Sequence, residues 1–209
     1  MNRKWLGFEL SELKSWNAFV RLMNRPEDPS SLAIFRICFG LIMLIDIPNE
    51  RGMSDADTEY GSNSLCHFPL IHSLRPLPVE WMVILYAIMF VGAIGIALGL
   101  MFRFSCLLFA LPYWYIFMLD KTTWNNHSYL YGLISILLLI SDANRSLSVD
   151  ALISRRLRNT HVPLWNYCLF RTQIFLVYFM AGLKKTELDW VQGYSMTNLA
   201  HHWVFDPFK

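Results

Sequence analysis

Residues 81–102 read WMVILYAIMFVGAIGIALGLMF, a long run without a single charged side chain. A membrane-spanning helix needs about 20 consecutive apolar residues. The stretch therefore predicts a spanning helix over roughly residues 80–102. Gly92, Gly95 and Gly99 fall on nearly one face of this helix. They either allow a second helix to approach closely or reflect the ordinary composition of membrane helices.

Four further apolar runs accompany this stretch, over residues 31–47, 104–119, 128–141 and 165–183. Hydrophobic residues make up 55% of the chain and charged residues 16%, and the mean hydropathy is +0.33. A soluble domain usually carries about 25% charged residues, so the charged surface that would cover a soluble core is missing. The sequence predicts an all-α, polytopic transmembrane bundle of about five spanning helices.

Amphipathic segments flank the predicted bundle. Residues 1–30 alternate bulky apolar and charged positions, which indicates an interfacial helix, and a proline-containing break over residues 25–29 ends it. Ser30 and Ser31 offer a cap for the first spanning helix. We expect three regions: an interfacial segment over residues 1–30, a transmembrane domain over residues 31–183, and an amphipathic segment over residues 184–209.

The distribution of basic residues predicts the orientation. Segments on the N-terminal side of the bundle carry ten Lys and Arg residues, against six on the other side. Cytoplasmic segments are the richer ones, so we expect a cytoplasmic N-terminus. The loop over residues 48–79, the Asn126-His127 pair and the Lys184-Lys185 pair would then face the lumen. The net charge of only +2 gives no support for nucleic acid as a partner.

Polar side chains at membrane depth are costly and are candidates for function. Arg36 and Arg171 either line a functional path or have a structural role, in which they pair with Asp46 or with backbone carbonyls. Gln173 is expected to form a hydrogen bond between helices.

Two short clusters carry candidate chemistry. Asn125, Asn126 and His127 stand at the predicted start of a helix, where they provide either a cap and an interfacial histidine or a hydrogen-bonding site. Lys184 and Lys185 either extend to the headgroups or supply a base. A partly buried lysine beside a second cation loses its proton more easily and can act as a neutral base near pH 7.

Longer motifs contain these clusters. They are LDKTTWNNHSYLYG over residues 119–132, HVPLWNY over 161–167, AGLKK over 181–185 and DWVQGYSM over 189–196. In this order they closely resemble the vitamin K-dependent gamma-glutamyl carboxylase family, and the similarity extends from about residue 31 to the last residue. The resemblance implies a multi-pass enzyme of the endoplasmic reticulum membrane.

The resemblance also implies a reaction. Members of the family use reduced vitamin K, dioxygen and carbon dioxide, without a metal, to convert glutamate side chains of secreted proteins to gamma-carboxyglutamate. By position, Lys185 matches the base that deprotonates the hydroquinone, and the oxygenated vitamin K then removes the gamma proton of glutamate. His127 matches a histidine of the glutamate deprotonation and carboxylation stage. Asn126, Lys184 and Trp124 are the implied cofactor-binding residues, with Asn126 on the quinone oxygen and Lys184 in a supporting electrostatic role.

Cys66 resembles a cysteine that, in the family, pairs with one much further along the chain. Animal members continue for several hundred residues beyond the position of Lys209, so the resemblance implies a chain truncated relative to the family, without the partner of Cys66. Two other readings stay open beside the enzyme: an inactive fragment or membrane module that binds a quinone or lipid, and a transporter bundle lined by Arg36 and Arg171. The sequence lacks the paired broken helices that favour a transporter.

Overall fold

The computed structural model describes residues 9–61, 67–154, 156–158 and 160–194. The helices within these residues are α1 (Trp16–Met23), α2 (Ser30–Asn49), α3 (Ala56–Gly61), α4 (Val79–Leu98), α5 (Phe102–Leu119), α6 (Asn126–Ile140), α7 (Val149–Ile153), α8 (Leu164–Lys184) and α9 (Leu188–Val191). Two 3-10 turns cover Leu10–Leu13 and Lys121–Thr123. Two short strands, β1 (Pro26–Glu27) and β2 (Val162–Pro163), pair antiparallel.

The predicted all-α membrane fold is confirmed. Helices α2, α4 and α5 have 20, 20 and 18 residues and are long and apolar enough to cross a membrane. The fourth predicted span, α6, has 15 residues, which gives a helix of about 22 Å against a hydrocarbon core of about 30 Å. The fifth, α8, has 21 residues but carries Arg171 and Gln173. Length and composition therefore support three spans among the described residues, fewer than the five expected.

The three spanning helices and α6 pack in chain order, α2 against α4, α4 against α5, and α5 against α6. Glycines set the distance between them. A Cβ atom added at Gly40 would lie 2.6 Å from the backbone nitrogen of Ala97, and one at Gly92 would lie 2.6 Å from that of Phe109. At Gly95 the added atom would meet the hydroxyl of Ser105. Gly92 and Gly95 therefore allow the close helix approach that was one of the two sequence readings.

Gly99 has a different role, since it ends α4 in the left-handed conformation at φ 63°. Asp150, from α7, caps the helix that follows: its carboxylate accepts hydrogen bonds from the backbone nitrogens of Met101 at 2.7 Å and Phe102 at 3.0 Å. Arg36 is completely buried against this turn and donates to the carbonyl of Leu147 at 2.5 Å. One end of the bundle is thus closed by a charged and polar contact between α2 and the segment before α7.

The α-helix in the described part of the N-terminal segment is α1, in which Trp16 is 75% exposed and Leu22 is buried. The predicted break follows it, and there the chain forms β1. Ser30 and Ser31 do not cap α2, which was the expectation: Ser30 is already inside the helix. The carboxylate of Asp28 accepts instead from the Ser30 backbone nitrogen at 2.8 Å, because a side chain two residues earlier reaches this unpaired donor.

The chain divides into two compact units, Met1–Tyr167 and Cys168–Lys209. The first unit contains the helices up to α7 and the beginning of α8. The second contains the rest of α8 and all of α9, and its described side chains are exposed apart from a few half-buried ones.

Candidate functional site

The first turn of α6 presents the Asn126-His127 pair. Asn125 is the N-cap, and its side-chain oxygen accepts hydrogen bonds from the backbone nitrogen of Ser128 at 2.7 Å and from its hydroxyl at 2.8 Å. The capping role expected for an asparagine in this cluster is therefore confirmed for Asn125. Asn126 and His127, the next two residues, are both exposed. Their side chains are available to a ligand at the positive end of the helix dipole.

Arg51 and Asp46 form a largely buried ion pair close to this turn, which the sequence did not indicate. Arg51, just after the end of α2, places its Nε atom 2.9 Å from a carboxylate oxygen of Asp46. Arg36 does not pair with Asp46 but takes the other structural role considered for it, a hydrogen bond to a backbone carbonyl; the pairing of Arg171 stays a prediction. Asp46 and Arg36 are ten positions apart on one helix, a rise of about 15 Å, which puts them near opposite ends of α2.

The Arg51 side chain also reaches α5 and α6. Its Nη1 atom donates to the hydroxyl of Ser128 at 2.5 Å, and its guanidinium carbon lies 5.8 Å from the ring centroid of Tyr113. The Tyr113 hydroxyl donates to the carbonyl of Ser128 at 2.7 Å, and the Tyr86 hydroxyl donates to the carbonyl of Arg51 at 2.7 Å. Four helices are thereby joined through hydrogen bonds to Arg51 and Ser128.

An aromatic cluster lies beside the start of α6 and consists of Trp114, Phe117, Trp124 and Tyr129. Trp124 stacks on Phe117 with ring centroids 4.7 Å apart and planes 5° apart, and its indole nitrogen donates to the Phe117 carbonyl at 2.5 Å. Trp124 is 38% exposed and Tyr129 is 52% exposed. The cluster therefore offers flat aromatic surface next to the Asn126-His127 pair, of the kind on which another ring stacks.

A small polar cavity of about 90 Å³ lies on the other side of Phe117. Its lining includes Arg51, Glu59, Tyr60 and Asp120. Sites for drug-sized ligands measure about 300–1,000 Å³, so the cavity is too small for a quinone ring with its tail.

Two residues that line this cavity, Tyr60 and Asp120, are close to His67 in the loop before α4. His67 stacks on Tyr60 with ring centroids 5.3 Å apart, and its Nδ1 atom lies 4.0 Å from a carboxylate oxygen of Asp120. Burial raises the pKa of the Glu59 carboxyl, against the opposing effect of the nearby His67. The carboxyl thus keeps its proton more readily in the folded chain than in the unfolded one.

Glu59→Gln should stabilise the fold at neutral pH. Because the folded-state pKa of Glu59 is raised, the native state binds more protons than the unfolded state, and stability falls as pH rises from the unfolded value of 4.5 through the folded pKa. The variant lacks this loss, so its thermal midpoint in detergent should exceed that of the wild type by more at about pH 8 than at about pH 4. A difference that is constant across this range would contradict the prediction. Exposed Asp57→Asn, in the same helix, is the matched control.

Lys184 and Lys185 belong to the second unit. Lys184 is the last residue of α8, and the backbone nitrogen of Lys185 continues the helical pattern by donating to the carbonyls of Ala181 and Gly182. Both lysines are exposed within this unit, so the partial burial considered for the base is not present there. The Nζ atom of Lys185 lies 5.6 Å from the ring centroid of Trp190. The expected convergence of the lysines with His127 at one membrane face stays a prediction.

Two further expectations from the sequence concern Cys66 and Arg36. Cys66 lies outside the described residues, so its pairing stays a prediction. Arg36 is enclosed at the opposite end of α2 from Arg51, with its Nη2 atom bound to the Leu147 carbonyl. An arginine enclosed in this way does not line an open path, which removes one of the two residues on which the transporter reading depended.

Comparison with known proteins places these features in a family. The model of the HTTM domain matches residues 24–209, a range that includes Arg51, the start of α6 and both lysines. This domain is found in vitamin K-dependent gamma-carboxylases and related membrane proteins. No solved structure matches the chain. Since the match covers the whole helical bundle and every candidate site residue, the chain belongs to the HTTM domain family.

Proposed function

We propose that the chain takes part in vitamin K-dependent gamma-carboxylation of glutamate residues in secreted proteins, coupled to epoxidation of reduced vitamin K. The family match over residues 24–209 carries this proposal. The geometry of α6 supports it, because Asn126 and His127 are exposed beside the aromatic cluster. The proposed location is the endoplasmic reticulum membrane, with the N-terminus cytoplasmic and the site facing the lumen.

The proposed site residues form two groups, one that binds the quinone and one that transfers protons. Trp124 and its stacked neighbour Phe117 provide a surface for the quinone ring, and Asn126 donates a hydrogen bond to a ring oxygen. Reduced vitamin K supplies the reducing equivalents for oxygen and, once oxygenated, the strong base that glutamate requires. Lys185 takes the first proton, from the ring hydroxyl, and Lys184 adds positive charge beside the anion that results.

His127 acts on the glutamate side of the reaction. Both His127 and Asn126 are exposed in the first turn of α6, which supports placing the glutamate beside the quinone at this end of the helix. The imidazole can donate a hydrogen bond to the glutamate carboxylate or move a proton during carboxylation. The proposed co-substrates are dioxygen and carbon dioxide, and the proposed partners are membrane lipids and glutamate-containing secreted proteins.

The proposal is tested by supplying the chain in microsomes with reduced vitamin K, labelled carbon dioxide and a glutamate-containing peptide. Epoxide formed together with labelled peptide would support the carboxylase. Microsomes prepared without the chain provide the background. If neither product exceeded this background, independent activity of these 209 residues would be rejected.

A second candidate function is a membrane module that binds a quinone or lipid without turnover. The exposed aromatic cluster favours it, since stacking requires no catalytic lysine. Quenching of tryptophan fluorescence by a non-reactive naphthoquinone in detergent would measure this binding. Quenching that is lost in Trp124→Ala, in a chain that forms no epoxide, would favour this function over the enzyme.

A further inference from the structure

Ser128 fixes the backbone at the start of α6. It is 1% exposed, and each of its polar groups is engaged. Its backbone nitrogen and hydroxyl donate to the Asn125 side chain, and its carbonyl accepts from Tyr113. Asn126 and His127 stand between Asn125 and Ser128, so the position of their backbone depends on this set of hydrogen bonds.

Arg51 is the charged member of the set. The Ser128 hydroxyl accepts a 2.5 Å hydrogen bond from its Nη1 atom, while the Nε atom of the same guanidinium faces Asp46 at 2.9 Å. A guanidinium has donors in a planar fork and can address two partners at fixed angles, which a single ammonium cannot. The side chain is only 11% exposed, so it is held in this orientation by its surroundings.

The charges around this arginine also act on the exposed imidazole of His127. Asp46 interacts electrostatically with both Arg51 and His127. With Arg51 in place, the charge of the carboxylate is compensated by the guanidinium, whose Nε atom lies 2.9 Å away. Without Arg51, Asp46 would keep an uncompensated negative charge in partial burial near His127. A hydrogen bond from another donor would then become favourable.

We infer that Arg51 is a positioning residue: through Ser128 and Asp46 it holds the Asn126-His127 turn in the orientation that the substrate requires. The inference rests on the proposed function for its catalytic consequence, although the orientation of His127 can be measured without turnover. Arg51 itself does not touch the substrate. It acts from inside the bundle on a turn whose side chains face outward.

The test compares Arg51→Gln, Arg51→Lys and Ser128→Ala in the full chain in detergent. Each is labelled with diethyl pyrocarbonate, and the modification rate of His127 is divided by that of His161, an exposed histidine between α7 and α8. We expect the ratio to change by about threefold or more in Arg51→Gln and Ser128→Ala, and less in Arg51→Lys, because a small reorientation of a catalytic group has large effects. The control is Arg75→Gln, which changes an exposed arginine in the loop before α4 and should leave the ratio unchanged.

Kinetics and stability separate positioning from folding. In Arg51→Gln, kcat for epoxide should fall about tenfold to a hundredfold with a smaller change in KM, measured at a temperature at which the far-ultraviolet circular dichroism of each variant still matches that of the wild type. An unchanged His127 ratio in Arg51→Gln and Ser128→Ala would overturn the inference, even if activity fell. If the wild type forms no epoxide, the proposed function fails, while a changed ratio still supports the positioning role.

Discussion

Lys185→Ala should reduce vitamin K epoxide formation by about 100-fold or more, the usual contribution of a positioned general base. The quinol hydroxyl must lose its proton before oxygen can react, and alanine offers no acceptor. The Lys185 side chain lies over Trp190 in the second unit and is exposed there, so the substitution buries nothing and opens no cavity. The measurement is the initial rate of epoxide formation in microsomes, at equal chain content.

Two comparisons make this result specific. Lys184→Ala, one residue earlier and also exposed, removes a supporting charge and should have a smaller effect. A strong base added to Lys185→Ala should restore part of the rate, because it replaces the missing acceptor. If Lys185→Ala kept the wild-type rate, the base would lie elsewhere. If it lost quinone binding together with turnover, the residue would act in binding.

Gly92→Ala should destabilise the bundle by about 1–3 kcal/mol, the usual cost of overpacking a tight contact. The added Cβ atom would lie 2.6 Å from the backbone nitrogen of Phe109, and a backbone atom cannot move aside as a flexible side chain can. Helices α4 and α5 would have to separate along their length. Thermal unfolding in detergent, followed by the accessibility of the buried Cys106 to a thiol reagent, measures the effect.

Gly182→Ala is the control for this substitution. Gly182 also lies inside a helix, and no atom of the part of the chain that the structure describes lies within 4 Å of a Cβ atom added there. Alanine is favoured over glycine in a helix by about 0.8–1.0 kcal/mol, so this variant should be neutral or slightly more stable. Equal losses in the two variants would mean that the close approach of α4 and α5 does not explain the effect of Gly92→Ala.

The helices were predictable to the extent that hydropathy marks them. Residues 80–102 were expected as one span, and α4 is Val79–Leu98. The predicted span extended beyond Leu98, the last residue of α4, because the turn that follows is itself apolar. The helix ends there because Gly99 adopts the left-handed conformation. The short helices α3 and α7 lie in stretches expected to be loops. Their positions depend on tertiary contacts, such as the bonds of Asp150 to the start of α5, which no periodicity indicates.

The site was predictable in part for a similar reason. The Asn125 cap follows from local rules, and its neighbours Asn126 and His127 follow from the family motif. Arg51 did not follow from either. Its partners Asp46 and Ser128 lie 5 positions before and 77 positions after it, and in sequence it is one charge in a polar loop. Pairs of this kind become visible only when the helices are assembled.

The enclosed Arg36 has a consequence for the order in which the protein is made. Its carbonyl partner, Leu147, is 111 positions later in the chain. At roughly 5–20 residues per second, the ribosome needs about 6–22 s to reach that partner after Arg36 is complete. During this interval the first spanning segment enters the membrane with a cation that no protein group satisfies, at an insertion cost of up to about 3 kcal/mol. Helix α2 is therefore secured at Arg36 only after α4, α5 and α6 have been synthesised.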